Sequence, residues 1–130
     1  MIIVPGADEM TNSYWEGAKQ GKLLLQRCRV CGHLWHPPGP MCLKCHSTDI
    51  EWTPARGGGT VHSYTIVHHA THAAMKHRVP YLVALVDLEE GPRVVSNILA
   101  PAETVRVGMP VALTFQEIAT GVFLPQFTTL

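Results

Sequence analysis

The residues best equipped for chemistry in this 130-residue chain are four cysteines, spaced Cys28-x2-Cys31 and Cys42-x2-Cys45 with ten residues between the pairs. Two intervening residues let both thiolates of a pair face one side of a tight turn whose backbone N–H groups donate to sulfur. Gly32, directly after Cys31, supplies the permissive backbone that such a knuckle requires. Two knuckles present four sulfurs at tetrahedral corners, the donor set of a structural zinc site with no position left for water. Four sulfurs suit iron as well, so a rubredoxin-like centre stays open, and visible absorbance would distinguish the two. A closed site of this kind does no hydrolysis; it holds together a segment too small for its own core. Residues 17–48 carry five bases and no acid, which should lower the thiol pKa values and offset the negative charge that four thiolates leave around a dication. Cys42-Leu43-Lys44-Cys45-His46 also fits the C-x-x-C-H pattern of haem attachment. Haem would leave the first cysteine pair without a role, so His46 is read as an ordinary surface residue.

A second cluster, His68, His69, His72, His77, Lys76 and Arg78, places four imidazoles and two permanent cations in eleven residues. Such a loop suits phosphate or pyrophosphate groups; a second metal site and a merely solvated loop are the other readings. The chain has no G-x-S-x-G, G-x-G-x-x-G, P-loop or H-E-x-x-H motif. With all four cysteines assigned to metal, no free thiol nucleophile remains, which favours an assisting role over a catalytic one.

The elements that must position these residues follow from periodicity. Asp8 is the expected N-cap of a short helix over 9–20, with Met10, Tyr14 and Ala18 on one face and Gly21 closing it. An N-terminal helical segment (1–21) therefore leads into a zinc ribbon (22–55), with a Pro37-Pro38-Gly39-Pro40 turn between its knuckles. Gly57-Gly58-Gly59 reads as a boundary without packing information. Beyond it, the expected strands are Val61–Val67, Tyr81–Val86, Arg93–Leu99, Val111–Phe115 and Val122–Phe127. Five short strands with one longer loop at 69–79 predict a mainly β fold, with an OB-type five-stranded antiparallel barrel over 59–130.

Composition sets limits on function. Apolar residues make up 46%, enough to bury a core, while charged residues are only 15%, against about 25% in an average soluble domain. A surface so short of charge suits a permanent partner covering one face, or a β-rich domain with many Thr, Gly and Pro. Ten basic residues balance ten acidic ones, but residues 17–86 carry a net +6 and residues 87–130 a net −3. No apolar run approaches the roughly 18–20 residues of a membrane-spanning helix. The start, Met1-Ile2-Ile3-Val4-Pro5, has no basic region of a signal peptide, so a cytoplasmic location with reduced thiols is expected.

A series of landmarks carries a family resemblance. They are Tyr14-Trp15-Glu16, Gly21-Lys22-Leu23, Gln26-Arg27-Cys28-x-x-Cys31-Gly32, Pro37-Pro38, Cys42-x-x-Cys45, Gly59-Thr60-Val61, Tyr64–Val67, Pro80-Tyr81, Ala84–Val86 and Gly108-Met109-Pro110-Val111. Together they resemble the acyl-CoA-associated family labelled domain of unknown function thirty-five, which pairs a rubredoxin-like zinc ribbon with an OB-fold. The chain departs from the family's pattern in having His46 where glycine is common, and in its histidine-dense loop. The resemblance implies Cys28, Cys31, Cys42 and Cys45 as zinc ligands. It further implies a non-catalytic accessory subunit in complex with a thiolase-superfamily enzyme (thiolase, acyltransferase or retro-aldolase) acting on acyl-CoA thioesters. On that reading His68, His69, His72, Lys76 and Arg78 are candidate contacts for CoA phosphates. A single-stranded nucleic-acid-binding ribbon–barrel module is the alternative, with Tyr64 and Phe115 as its stacking candidates. The sequence pI near 7.1 speaks against it.

Overall fold

A computed structural model describes residues 4–130; Met1, Ile2 and Ile3, which open the helical segment 1–21 and the reading of the start, lie outside the described residues. Helix α1 spans Asn12–Lys19, later than the expected 9–20. Asp8 is the reason. Its Oδ1 accepts from the Thr11 N–H at 2.9 Å and from the Thr11 hydroxyl at 3.0 Å, closing a turn ahead of the helix instead of capping it. Those hydrogen bonds hold the Asp8 carboxyl below its ordinary pKa, the Thr11 backbone contributing most. Met10 consequently lies outside the helical face and is exposed. Tyr14 and Ala18 do pack inward, and Gly21 ends the helix at φ +74°, with its N–H on the Ala18 carbonyl at 3.0 Å.

The ribbon is a three-stranded antiparallel sheet in the order β2-β1-β3, from Leu24–Cys28 (β1), Leu34–Trp35 (β2) and Ile50–Pro54 (β3). Gln26 on β1 is buried, and its Oε1 accepts twice, from Trp35 Nε1 at 2.7 Å and from the Gly39 N–H at 2.6 Å. One amide thus ties β1 to β2 and to the proline turn.

The remaining strands are β4 (Gly58–Val67), β5 (Tyr81–Leu88), β6 (Arg93–Asn97), β7 (Pro110–Ala119) and β8 (Val122–Thr129), in the order β6-β5-β4-β7-β8. The β6 end closes back on β8 through a parallel bridge between Ile98 and Phe127, with the Leu99 N–H on the Phe127 carbonyl at 2.8 Å. That makes the nearly closed five-stranded OB-fold barrel which the spacing of strand signals predicted. Strict alternation on β5 sends Leu82, Ala84, Val86 and Leu88 inward, where they meet Val61, Val111 and Phe127. Leu23 and Leu25 from the ribbon side join the same core, so β1 and the barrel share one apolar interior. Among the described residues no helix is long and apolar enough to cross a membrane.

The glycine run departs from its expected role as packing-free. Gly58 and Gly59 lie inside β4, and Gly59 pairs with Leu88 on one side and Val111 on the other. A Cβ at Gly59 would stand 2.6 Å from Val86 Cγ1 and 3.2 Å from the Asp87 carbonyl oxygen. Val86 is fully buried and cannot retreat. Gly59→Ala should therefore cost about 1–3 kcal/mol by overpacking, read as a lowered urea midpoint.

Candidate functional site

The two cysteine knuckles fold as near copies of one another. In the first, the Gly32 N–H reaches the Cys28 carbonyl at 2.9 Å and the Cys28 N–H reaches the His33 carbonyl at 2.9 Å. In the second, the His46 N–H meets the Cys42 carbonyl and the Cys42 N–H meets the Ser47 carbonyl, both at 2.9 Å. Gly32 sits at φ +79° and His46 at φ +65°, the same left-handed position in each turn. His46 is exposed as expected, but its backbone is more constrained than that of an ordinary surface residue.

This geometry brings the four sulfurs within 4.8 Å of one another. Cys28 Sγ lies 3.5 Å from Cys45 Sγ, and Cys31 Sγ lies 3.6 Å from Cys42 Sγ. Sulfurs about 2.3 Å from a tetrahedral zinc ion stand about 3.8 Å apart, so the cluster needs little adjustment to close on one. Backbone N–H groups point at the buried sulfurs: Cys31 N to Cys28 Sγ at 3.4 Å, and Lys44 and Cys45 N to Cys42 Sγ at 3.3 and 3.4 Å. These are the donors that stabilise a thiolate.

The same contacts set the protonation of the cluster. The Cys31 N–H leads in pulling the Cys28 thiol down to about 6. At Cys42, burial opposes ionisation, but the Cys45 and Lys44 N–H groups and neighbouring thiols bring the pKa below its ordinary value. Cys45 is drawn down by Ser47, yet its hydrogen bonds to Cys28 and the other thiols outweigh this and push it up to about 12. Four thiolates this close repel one another, and a cation at their centre removes the conflict. The expected contribution of basic side chains is not what acts here. Arg29 pairs instead with Asp49 at 3.1 Å and Glu51 at 3.6 Å, and the shifts arise from backbone amides and neighbouring thiols. The four cysteines are thus positioned for zinc binding, in a structural and not an open coordination shell.

The histidine loop joins β4 to β5 and contains a short 3-10 turn, Ala73–Met75, which His72 caps by accepting the Ala74 N–H on Nδ1 at 3.0 Å. His68, His69, His72 and Lys76 are exposed. The loop borders a cleft of about 810 Å³ at one end of the barrel, and of the five candidate contacts only Arg78 lines it, with Nη1 3.4 Å from Gln116 Oε1. His77 lines it too. Sequence reasoning missed the cleft's polar wall, Asn97 on β6 and Gln126 on β8, because those residues meet only after the barrel closes. The available signal was Gln126 itself, an uncharged polar residue set between Pro125 and Phe127.

Comparison with known proteins agrees with this architecture. The family described as "ChsH2, rubredoxin-like zinc ribbon domain" matches residues 15–51, and "ChsH2, C-terminal OB-fold domain" matches residues 52–116. A "Probable enoyl-CoA hydratase alpha subunit" of Thermomonospora curvata is 45% identical over 118 residues, which are 89% of this chain but 36% of that protein. The chain therefore spans little more than a third of that relative's length. A "DUF35 domain-containing scaffold protein" of Methanocaldococcus jannaschii is 34% identical over 114 residues, 85% of this chain and 80% of that one. A chain of the solved "Ltp2-ChsH2(DUF35) aldolase" superimposes with a TM-score of 0.88 at 40% identity, covering 96% of this chain and 98% of that one. Ribbon, barrel and matched length together make this chain a member of the ChsH2/DUF35 family.

Proposed function

We propose that the chain is a non-catalytic, zinc-stapled accessory subunit of an enzyme complex that processes acyl-CoA thioesters. The observation that carries this reading is the superposition, over nearly its whole length, on the ChsH2(DUF35) chain of an aldolase complex. A hydratase subunit and a scaffold protein among the relatives support the same setting. The finer assignment, a thiolase-superfamily partner whose CoA or acyl cleft this chain helps to form, rests on the ordered landmarks of the sequence. On this reading zinc is the chain's own structural metal and acyl-CoA is a ligand shared with the partner. His68, His69, His72, Lys76 and Arg78 contact CoA phosphates only where the partner completes the site, since of these five Arg78 alone lines the barrel-end cleft. Apolar side chains at both knuckle tips, Val30 at 68% exposure and Leu43 at 75%, supply surface for such a partner.

The nucleic-acid alternative loses its stacking platform in the structure. Phe115 packs against the core, and Tyr64 is turned inward with its hydroxyl donating to the Val105 carbonyl at 3.1 Å.

Co-expression with a thiolase-like enzyme should give one complex by size exclusion at low salt. Val30→Asp with Leu43→Asp should weaken that complex at least tenfold while the isolated chain keeps its circular dichroism spectrum. Independent elution of the two unmodified chains would overturn the assignment of partner.

A further inference from the structure

We infer that the barrel-end cleft binds a small amphipathic monoanion, an apolar body ending in a carboxylate that pairs with Arg78. The inference goes beyond the accessory role and does not depend on which enzyme is the partner.

Arg78 is the one permanent cation that the fold draws in from solvent. Of the ten lysines and arginines, the other nine are exposed, whereas Arg78 is half-buried. Arg29, Arg56 and Arg93 each meet a carboxylate although water already surrounds them. Arg78 has no carboxylate partner among the described residues. Its guanidinium donates from Nη1 to the neutral Gln116 Oε1 at 3.4 Å, a long bond of limited strength. The planar fork carries five N–H donors, so most of them have no protein acceptor. A cation partly removed from water without a counter-charge is unfavourable, and a carboxylate relieves it through two parallel hydrogen bonds.

Arg78 and Gln116 both line the cleft of about 810 Å³, within the range of sites for small organic ligands, about 300–1,000 Å³. Most of the remaining wall is apolar. Leu82 and Ile98 are buried core residues, and Met75 and Ile118 stand with them. Ile66 and Leu99 also line the cleft at 37% and 45% exposure, large apolar side chains left facing solvent until something covers them. An ion alone would leave that surface wet, and an apolar molecule alone would leave Arg78 unpaired. The charge must also be single. Glu103 lines the cleft too, exposed and unpaired with Arg78, and it repels a second negative charge. A phosphate monoester carries about −1.5 to −2 at neutral pH, more than one guanidinium neutralises. A carboxylate carries one charge and matches the planar fork. His68, His69, His72 and Lys76 lie outside the cleft lining and remain available to CoA phosphates.

Heteronuclear NMR of the zinc-loaded full chain tests this with four probes: cyclohexanecarboxylate, its neutral methyl ester, cyclohexyl phosphate and acetate. The expected result is that cyclohexanecarboxylate shifts the Arg78 Nε–H resonance together with the Leu82 and Ile98 methyls. It should bind about tenfold tighter than the ester, which lacks the charge, and than acetate, which lacks the apolar body. Arg78→Gln should bring the acid down to the affinity of the ester while leaving the ester's own binding unchanged. Three results on the unmodified protein overturn the inference, whether or not the variant folds. Equal affinity for acid and ester means that Arg78 recognises no anion in the cleft. Equal affinity for cyclohexanecarboxylate and acetate means that the apolar wall takes no part. Tighter binding of cyclohexyl phosphate than of the carboxylate gives Arg78 to a phosphate instead.

Discussion

Stripping the metal with a strong chelator, or replacing Cys42 by Ser, should unfold the knuckles while leaving much of the barrel folded. The ribbon's own buried cluster is Cys28, Trp35 and Cys42, with Ile50 packed against it. Three residues cannot offset the conformational entropy of the segment from Cys28 to Ile50, at about 1–2 kcal/mol per ordered residue for the backbone alone. Structural zinc contributes about 10–16 kcal/mol to folding in comparable small modules, which exceeds anything those side chains can replace. By contrast, Leu23 and Leu25 are anchored in the barrel's core and should hold the start of β1 in place. The measurements are metal content, hydrogen exchange and tryptophan fluorescence. One zinc per chain and a colourless solution are expected, followed on chelation by loss of protection through residues 28–50 and a red shift of Trp35 emission. A ribbon that stays protected without metal would remove the structural role assigned to the four sulfurs. Visible absorbance would assign iron to the same ligands. Affinity should fall at low pH, because each ligand must lose its proton before it can bind.

What could be read from the residues in advance divides by sequence distance. The metal cluster was legible because each knuckle is closed by hydrogen bonds spanning four or five residues, and because two x2 spacings leave few other arrangements. Strand β5 was legible because Tyr81–Val86 is an apolar run of strand length, and the Glu89-Glu90-Gly91-Pro92 turn after it pairs it with the next run as a hairpin. The helix start was misplaced because Asp8 serves a turn and a cap equally well, and only the position of Thr11 decides between them. Gly59 was misread because its constraint comes from Val86, which follows it by more than two dozen residues and touches it only across the ladder. The Asn97–Gln126 pair depends on barrel closure itself, a contact between the third and last strands of the barrel that no local pattern announces. Long-range polar pairing was the least visible class of interaction, and it is where the cleft's chemistry resides.

Barrel closure also identifies the most sensitive apolar position. Phe127 is fully buried, pairs with Leu113 of β7 through the backbone, and bridges to Ile98 on its other side. Its ring is the largest fully buried side chain among the described residues, at the seam where the sheet's two edges meet. Phe127→Ala should cost about 3–5 kcal/mol, the lost transfer free energy plus the cavity that a closed barrel cannot collapse to fill. Since a domain of this kind holds about 5–15 kcal/mol in total, the variant should stand near the edge of folding at 37 °C. Val95→Ala on β6 is the matched control, because Val95 is 68% exposed and its truncation leaves no cavity. Urea titrations of the zinc-loaded proteins separate the outcomes. A midpoint lowered sharply at position 127, unchanged at 95 and with the same slope in both locates the loss in the seam. Equal small effects would mean that closure through Ile98 and Phe127 contributes little, and that the barrel is held by its β4–β5 and β7–β8 ladders alone.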